Sequence, residues 1–172
     1  DIEVIEMIDN DTEEYIDTPK TELNDDVSNT YKNFYAPYVR IASEKTGKNG
    51  DKVVKYDIRL CQANFEHMDY EEIHTLQHLA SAILYASFEN IIDLSPNGSM
   101  TGFNLTMFNG VTEETMAKVM VEVMQKIAIW DKDIPNANES YCGSFQSHDL
   151  IKAKRRAMMF IGGIMSKGYS AN

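Results

Sequence analysis

The sequence predicts an α+β domain in which a β-sheet is covered by helices. Three observations predict this class. Two strand patterns are joined by a turn signal, and segments with helical periodicity follow them. The chain has 172 residues with 43% hydrophobic content, which is enough to bury one sizeable core. Strands mixed with helices and connected by hairpin signals are typical of layered α+β proteins.

The first two elements form a predicted β-hairpin. Residues 35–43 have the composition of a strand with Pro37 near its start, and residues 53–61 have that of the returning strand. Between them, residues 48–51 have the sequence Lys-Asn-Gly-Asp, and an Asn-Gly pair is a strong signal for a tight turn.

A helix is predicted over residues 70–88, directly after Asp69, whose side chain suits an N-cap. Apolar residues recur at helical spacing along this segment. They make one stripe, formed by Ile73, Leu76, Ala80, Ile83 and Leu84. The stripe predicts that one face of the helix packs against the sheet.

The second half of the chain continues the mixed pattern. Residues 93–98 contain Pro96 and Gly98 and predict a loop, and residues 101–109 predict a strand. A second amphipathic helix is predicted from residue 112 to about residue 130. A loop with Pro and Asn over residues 134–139 leads to Cys142, and a last helix is predicted to begin near Ser147 or Asp149.

The negative charge of the chain is concentrated at its N-terminus. Residues 1–30 contain eleven Asp or Glu and one lysine, a net charge of -10 against -11 for the whole chain. We therefore predict an acidic N-terminal arm over residues 1–30 and a compact domain over residues 31–172. The arm is either a solvated segment or a partner-binding one, since Ile2, Val4, Ile5, Met7 and Ile8 are available to dock on a surface.

Composition argues against several classes of function. The one basic cluster, residues 152–156, predicts a solvated helix face rather than a nucleic-acid interface. No apolar run reaches membrane-spanning length, and no signal peptide is expected. Only two cysteines, Cys61 and Cys142, argue against a disulfide framework, so we expect a reducing compartment, the cytoplasm.

A metal-binding pattern lies within the first predicted helix. His74 and His78 are four residues apart, and so share one face of a helix. With Gln77 they match an H-x-x-E-H zinc motif whose glutamate is replaced. Alone, the pair is either metal-binding or two polar neighbours. Cys142 would add a thiolate to two imidazoles, a ligand set that suits zinc or ferrous iron.

The chain resembles the LuxS family, the S-ribosylhomocysteine lyases of autoinducer synthesis and quorum sensing. The matching stretches are Ala-Pro-Tyr-Val-Arg (36–40), Lys-Tyr-Asp-Ile-Arg-Leu-Cys-Gln-Ala-Asn (55–64), His-Thr-Leu-Gln-His-Leu (74–79), Ile-Ile-Asp-Leu-Ser-Pro-Asn-Gly-Ser-Met-Thr-Gly-Phe (91–103), Ile-Pro-Asn-Ala-Asn-Glu (134–139), and Cys-Gly followed by His-Asp-Leu (142–150). They occur in the family's order and cover about residues 31–160.

The resemblance implies an antiparallel sheet and a homodimer with its active sites at the subunit interface. It implies His74, His78 and Cys142 as ligands of one Fe²⁺ or Zn²⁺ per chain. Family members convert S-ribosylhomocysteine to homocysteine and dihydroxypentanedione. This chemistry needs a Lewis acid and two groups that transfer protons.

Both proton-transfer positions differ from the family. Gln77 stands where the family has a glutamate base, and Ser99 stands where it has a reactive cysteine. An amide cannot accept the proton, and a serine hydroxyl is a far weaker acid than a thiol. We therefore expect a metal-binding pseudoenzyme or a severely impaired lyase.

At other positions the chain keeps some of the family's residues and differs at others. Lys55 and Arg59 are retained and, with Asp93 and Ser95, are expected to bind substrate. In the arm, the family's serine and histidine align with residues 26 and 31, which here are Asp and Tyr. Departures at several separate places favour natural divergence over engineered substitution.

Two further residues have a predicted structural role, and a third has none. Cys61 is expected to be a buried strand thiol, His148 a surface or capping residue rather than a fourth ligand, and His67 carries no hypothesis.

Two alternatives to the pseudoenzyme stay open. One is a working lyase, and the other is a non-enzymatic module for metal-stabilised dimerisation or ligand sensing. The partner is expected to be a second copy of the chain, with a paralogue as the alternative.

Overall fold

The computed structural model describes residues 34–171, which form an α+β domain. The predicted acidic arm with Asp26, and Tyr31 at the start of the predicted compact domain, lie outside the described residues. The domain boundary at residue 30 stays a prediction. The elements in chain order are β1 (Tyr38–Thr46), β2 (Lys52–Arg59), α1 (Tyr70–Ser87), β3 (Ile91–Pro96), β4 (Gly102–Phe108), α2 (Glu113–Ala128) and α3 (Leu150–Ser166). The predicted fold class is confirmed.

The four strands form one antiparallel sheet in the order β1-β2-β4-β3. Strands β1 and β2 form the predicted hairpin, with Tyr38 opposite Arg59. Side chains alternate between the two faces of a strand, so Val54, Tyr56 and Ile58 of β2 all lie on one face, and all three are buried. The alternate side chains of the same strand, Lys55, Asp57 and Arg59, therefore lie on the opposite face.

The loop predicted over residues 93–98 is wrong, because most of this segment belongs to strand β3. Leu94 pairs with Leu105 of β4 and is only 2% exposed. Pro96 ends the strand, and β3 lies at the edge of the sheet, where a residue without an N–H group interrupts no central ladder. The turn begins after Pro96, where the Met100 N–H donates to the Asn97 carbonyl.

The three helices and one face of the sheet enclose a single hydrophobic core. The stripe predicted for α1 is buried except for the half-buried Ile83. Helix α2 contributes a methionine-rich face and α3 a face of small and aromatic residues. The helical core residues are Ile73, Leu76, Leu79, Ala80, Leu84, Met116, Ala117, Met120, Val121, Val123, Met124, Ile127, Ala153, Ala157, Phe160 and Ile164.

The prediction of a solvated basic face over residues 152–156 is wrong for Arg156. This side chain is 7% exposed, and its Nε donates to Glu72 Oε1 at 2.7 Å. Its Nη2 donates to Glu66 Oε1 at 2.8 Å. Helices α1 and α3 are thus joined by a buried ion pair. No helix within residues 34–171 is long and apolar enough to cross a membrane.

Candidate metal centre

Helix α1 positions the two histidines of the motif. The Asp69 side chain caps the helix by accepting the Glu72 N–H at 2.9 Å, which fixes its start one turn before His74. One turn further on, His78 places its Nε2 atom 3.1 Å from His74 Nε2. The two imidazoles therefore direct the same nitrogen toward one point.

The loop between α2 and α3 brings a thiol to that point. The Cys142 N–H donates to the Asn138 carbonyl at 2.9 Å, which anchors the loop. Cys142 Sγ lies 3.4 Å from His74 Nε2, and the residue is 8% exposed. The structure therefore brings together the three residues predicted as metal ligands, although they are up to 68 positions apart.

His148 also belongs to this cluster, so its expected surface or capping role is wrong. Asp149, not His148, caps α3. The His148 ring stacks on His74, with ring centroids 4.2 Å apart and planes at 18°. One donor atom from each of His74, His78, Cys142 and His148 lies within 4.8 Å of the others. No fixed spacing links His148 to the motif, so no local pattern predicts its place in the cluster.

Carbonyl groups behind the cluster orient His74 and His78. His74 Nδ1 lies 2.9 Å from the Ser147 carbonyl oxygen, and His78 Nδ1 lies 2.7 Å from that of Pro135. A carbonyl only accepts hydrogen bonds, so both Nδ1 atoms carry the proton. The Nε2 lone pairs are then free to bind a metal, the usual arrangement behind histidine ligands.

The environment keeps His148 neutral. Burial lowers the pKa of His148 to about 4, with a further lowering from His74 and His78. A neutral imidazole is the form that binds a metal. Three imidazoles and a thiol, all with inward donor atoms, fit a divalent metal of the zinc or ferrous class.

Gln77 lies beside the cluster in a pocket of about 390 Å³ that His78 also lines. Its Nε2 donates to the Leu94 carbonyl of β3 at 3.2 Å. That hydrogen bond requires an amide or another donor. A carboxylate here would face the carbonyl oxygen without a proton to share.

Ser99 lines a different pocket, of about 400 Å³, together with His67. Its hydroxyl lies 2.7 Å from Thr101 Oγ1 and donates to Asn97 Oδ1 at 3.0 Å. Within one chain, Gln77 and Ser99 therefore line separate pockets.

Arg59 is buried, with 5% of its surface exposed, and it contacts the Ser99 pocket. Its Nη1 donates to Thr101 Oγ1 at 2.5 Å and to Ser99 Oγ at 3.3 Å. Its Nη2 and Nε donate to the carboxylate of Asp57 at 2.9 and 3.2 Å. The anion that a buried arginine needs is therefore supplied by the protein. Sequence reasoning missed Asp57, although residues two apart in a strand share one face.

The other predicted substrate residues lie apart from the metal cluster. Lys55 is half-buried in the middle of β2, opposite Thr106 of β4. Asp93 and Ser95 lie on the edge strand β3, where Ser95 Oγ donates to Asp93 Oδ2 at 2.8 Å. Their role in binding substrate stays a prediction.

Cys61 is the buried thiol that the sequence predicts. It is 3% exposed, and burial raises its pKa to about 11. A thiol with this pKa is almost entirely protonated at neutral pH, and so is a poor nucleophile. Cys142 is therefore the one cysteine placed to bind metal.

The fold and the site define a class, the α+β proteins with a cluster of histidine and cysteine that could hold a metal ion. The sequence model of the S-ribosylhomocysteinase (LuxS) family matches residues 29–169. The chain therefore belongs to the LuxS family.

Individual relatives agree with this assignment. The chain is 39% identical over 145 residues to the S-ribosylhomocysteine lyase of Helicobacter acinonychis, covering 84% of this chain and 92% of the relative. It is 40% identical over 126 residues to that of Helicobacter pylori strain J99, covering 73% and 82%. It is 39% identical over 122 residues to that of Deinococcus deserti, covering 71% and 79%.

Proposed function

We propose that this protein is a metal-binding member of the LuxS family whose cleavage of S-ribosylhomocysteine is lost or strongly impaired. The observation that carries the proposal is the amide of Gln77, which donates to the Leu94 carbonyl next to His78. The base position of the family thus holds a hydrogen-bond donor that its surroundings satisfy.

His74, His78 and Cys142 would hold one Fe²⁺ or Zn²⁺ per chain. When bound, the metal supplies Lewis acidity toward the oxygens of a sugar-derived ligand. The Cys142 thiol must stay reduced to bind it, and both described cysteines are free thiols. We therefore place the protein in a reducing compartment, the cytoplasm.

The residues at the two proton-transfer positions are poor acids and bases. Gln77 has no basic atom at neutral pH, and Ser99 Oγ is held by Thr101 and Asn97. Loss of one positioned base costs about 10²–10⁴-fold in rate. Two such losses leave a site that binds and polarises a ligand without completing its cleavage.

The proposed assembly is a homodimer. Gln77 and Ser99 line separate pockets of one chain, so a two-fold arrangement would let the Ser99 pocket of one subunit face the metal of the other. Arg59 lies beside Ser99 and would approach the neighbouring metal with it.

Two alternative functions predict a different result when the protein is incubated with S-ribosylhomocysteine. A working lyase would release homocysteine, using other groups to move protons. A dimerisation or sensing module would bind a ligand, or none, and release nothing. Binding and thiol release must therefore be measured on the same sample.

The test is an assay of free thiol in metal-loaded protein incubated with S-ribosylhomocysteine at neutral pH. The Helicobacter pylori J99 relative serves as the comparison protein. We expect homocysteine release at least ~10²-fold slower than in that relative, since a missing base has about that effect. Turnover within a few-fold of the relative would overturn the proposal.

A further inference from the structure

We propose that Thr75 is a positioning residue of the metal centre, whose hydroxyl holds the start of α3 against α1 and so fixes the direction of His74. The inference rests on the metal binding proposed above and goes beyond it, since Thr75 would not itself bind the metal. Thr75 follows His74 in α1 and is fully buried, at 0% exposure. A buried hydroxyl is costly unless it is hydrogen-bonded.

The hydroxyl of Thr75 uses its full hydrogen-bonding capacity. It donates its proton to the Glu71 carbonyl at 2.7 Å. It accepts the Asp149 N–H at 2.9 Å and lies 3.2 Å from His148 Nδ1. Because its one proton is already donated, the contact with His148 is one in which Thr75 accepts. The two lone pairs of a single α1 side chain therefore hold two consecutive residues at the start of α3.

The first effect of this contact is on the carbonyl that orients His74. Ser147 directly precedes the two residues held by Thr75, and its carbonyl lies 2.9 Å from His74 Nδ1. Helix α1 and residues 147–149 are thus joined by hydrogen bonds in both directions, from His74 and to Thr75. A carbonyl fixed behind Nδ1 determines where the Nε2 lone pair points.

The second effect is on the face of the His74 ring. The His148 ring stacks on it, with ring centroids 4.2 Å apart and planes at 18°. A stacked ring limits the rotation of His74, and the His148 ring is itself held through its Nδ1 by Thr75. Both restraints on His74 therefore depend on the same hydroxyl.

The first test compares the zinc affinity of two Thr75 variants by competition with a chromophoric chelator. Thr75→Val keeps the shape of the side chain without its hydroxyl, whereas Thr75→Ser keeps the hydroxyl. We expect Thr75→Val to bind zinc about 10-fold more weakly than the unmodified protein, since outer partners of metal-binding histidines have effects of this size. Thr75→Ser should stay close to the unmodified protein.

Thr101→Val is the matched control. Thr101 is also buried, at 1% exposure, but its hydroxyl accepts from Arg59, away from the metal cluster. This variant should lose stability and keep its zinc affinity. Unchanged zinc affinity in Thr75→Val would overturn the positioning role, and so would an equal loss in Thr75→Val and Thr101→Val. Unmodified protein that takes up no zinc would overturn the proposed metal centre and this inference with it.

The second test needs no substitution and stays decisive if Thr75→Val does not fold. Hydrogen exchange of the Asp149 amide in metal-free protein, followed by NMR, reports whether Thr75 holds this residue before a metal binds. We expect slow exchange that changes little when zinc is added. Fast exchange of this amide in the metal-free protein would show that Thr75 does not hold the segment, and would overturn the inference.

Discussion

At the scale of single residues, the hydrogen bond of Gln77 bears most directly on the proposed loss of lyase activity. The Leu94 carbonyl accepts a hydrogen bond from the Gln77 amide at 3.2 Å. A glutamate at this position would lose that bond and place its charge beside a carbonyl dipole. In the same side-chain conformation, a single exchange for glutamate is therefore not expected to restore a well-placed base.

The two cysteines have different chemical roles because they lie in different surroundings. Cys61 lies in the core, and its raised pKa keeps it protonated at neutral pH. Cys142 lies beside His74, where a bound metal would stabilise its thiolate. Substitution of each cysteine by alanine therefore provides a matched pair, of which only one removes a metal ligand.

At the scale of secondary-structure elements, the contact between α1 and α3 depends on the buried pair of Glu72 and Arg156. Glu72 is 7% exposed, and Arg156 also contacts Glu66. Burial opposes the charge on Arg156, but the hydrogen bonds to Glu66 and Glu72 outweigh it and raise the pKa of Arg156, which stays charged. Near the same contact, Thr75 of α1 accepts the N–H of Asp149, the cap of α3.

Replacing Arg156 with methionine should destabilise the protein strongly. The change leaves the Glu72 carboxylate buried without its partner, a loss of about 3–5 kcal/mol in the free energy of unfolding. Urea denaturation of the two proteins measures it. Lys118→Met is the control, because its pair with Glu114 is exposed and should change stability little. Equal effects of the two substitutions would contradict a stabilising role for the buried pair.

Features set by short-range spacing can be predicted from the sequence better than features set by packing between distant residues. The hairpin, the α1 stripe and the His74–His78 pair follow from short-range spacing, and all are present. Pro96 and Gly98 predict a loop where the structure has strand β3, because the pairing of β3 with β4 outweighs these two local signals. The predictions for His148 and Arg156 are wrong because their partners, His74 and Glu72, lie far away in the sequence on α1, at positions that no local pattern encodes.

At the scale of the whole molecule, the described residues present two separate groups of polar side chains. The metal cluster and Gln77 form one, and Ser99 with Arg59 forms the other. Buried charges on the sheet face opposite the helices, Asp57 and Arg59, neutralise each other within the chain. This pair therefore adds no net charge to the face, to which Arg40 and Lys55 contribute positive charge.

We expect a dimer in solution. Light scattering at micromolar concentration should give a mass about twice the 19.6 kDa of one chain, in line with the closed two-fold assemblies common among soluble proteins. A stable monomer at that concentration would refute the dimer. Purification from the native host distinguishes a homodimer from a mixed dimer with a paralogue, and recovery of homodimers alone would exclude the mixed form.

The most direct test of the account is the metal content of the purified protein and its two cysteine variants. The unmodified protein and Cys61→Ala should each hold about one zinc or iron ion per chain, since their metal ligands are intact. Cys142→Ala should lose most of that metal. Unmodified protein that is empty of metal after exposure to zinc or ferrous iron, with no difference between the two variants, would contradict the central claim that this chain retains a metal centre.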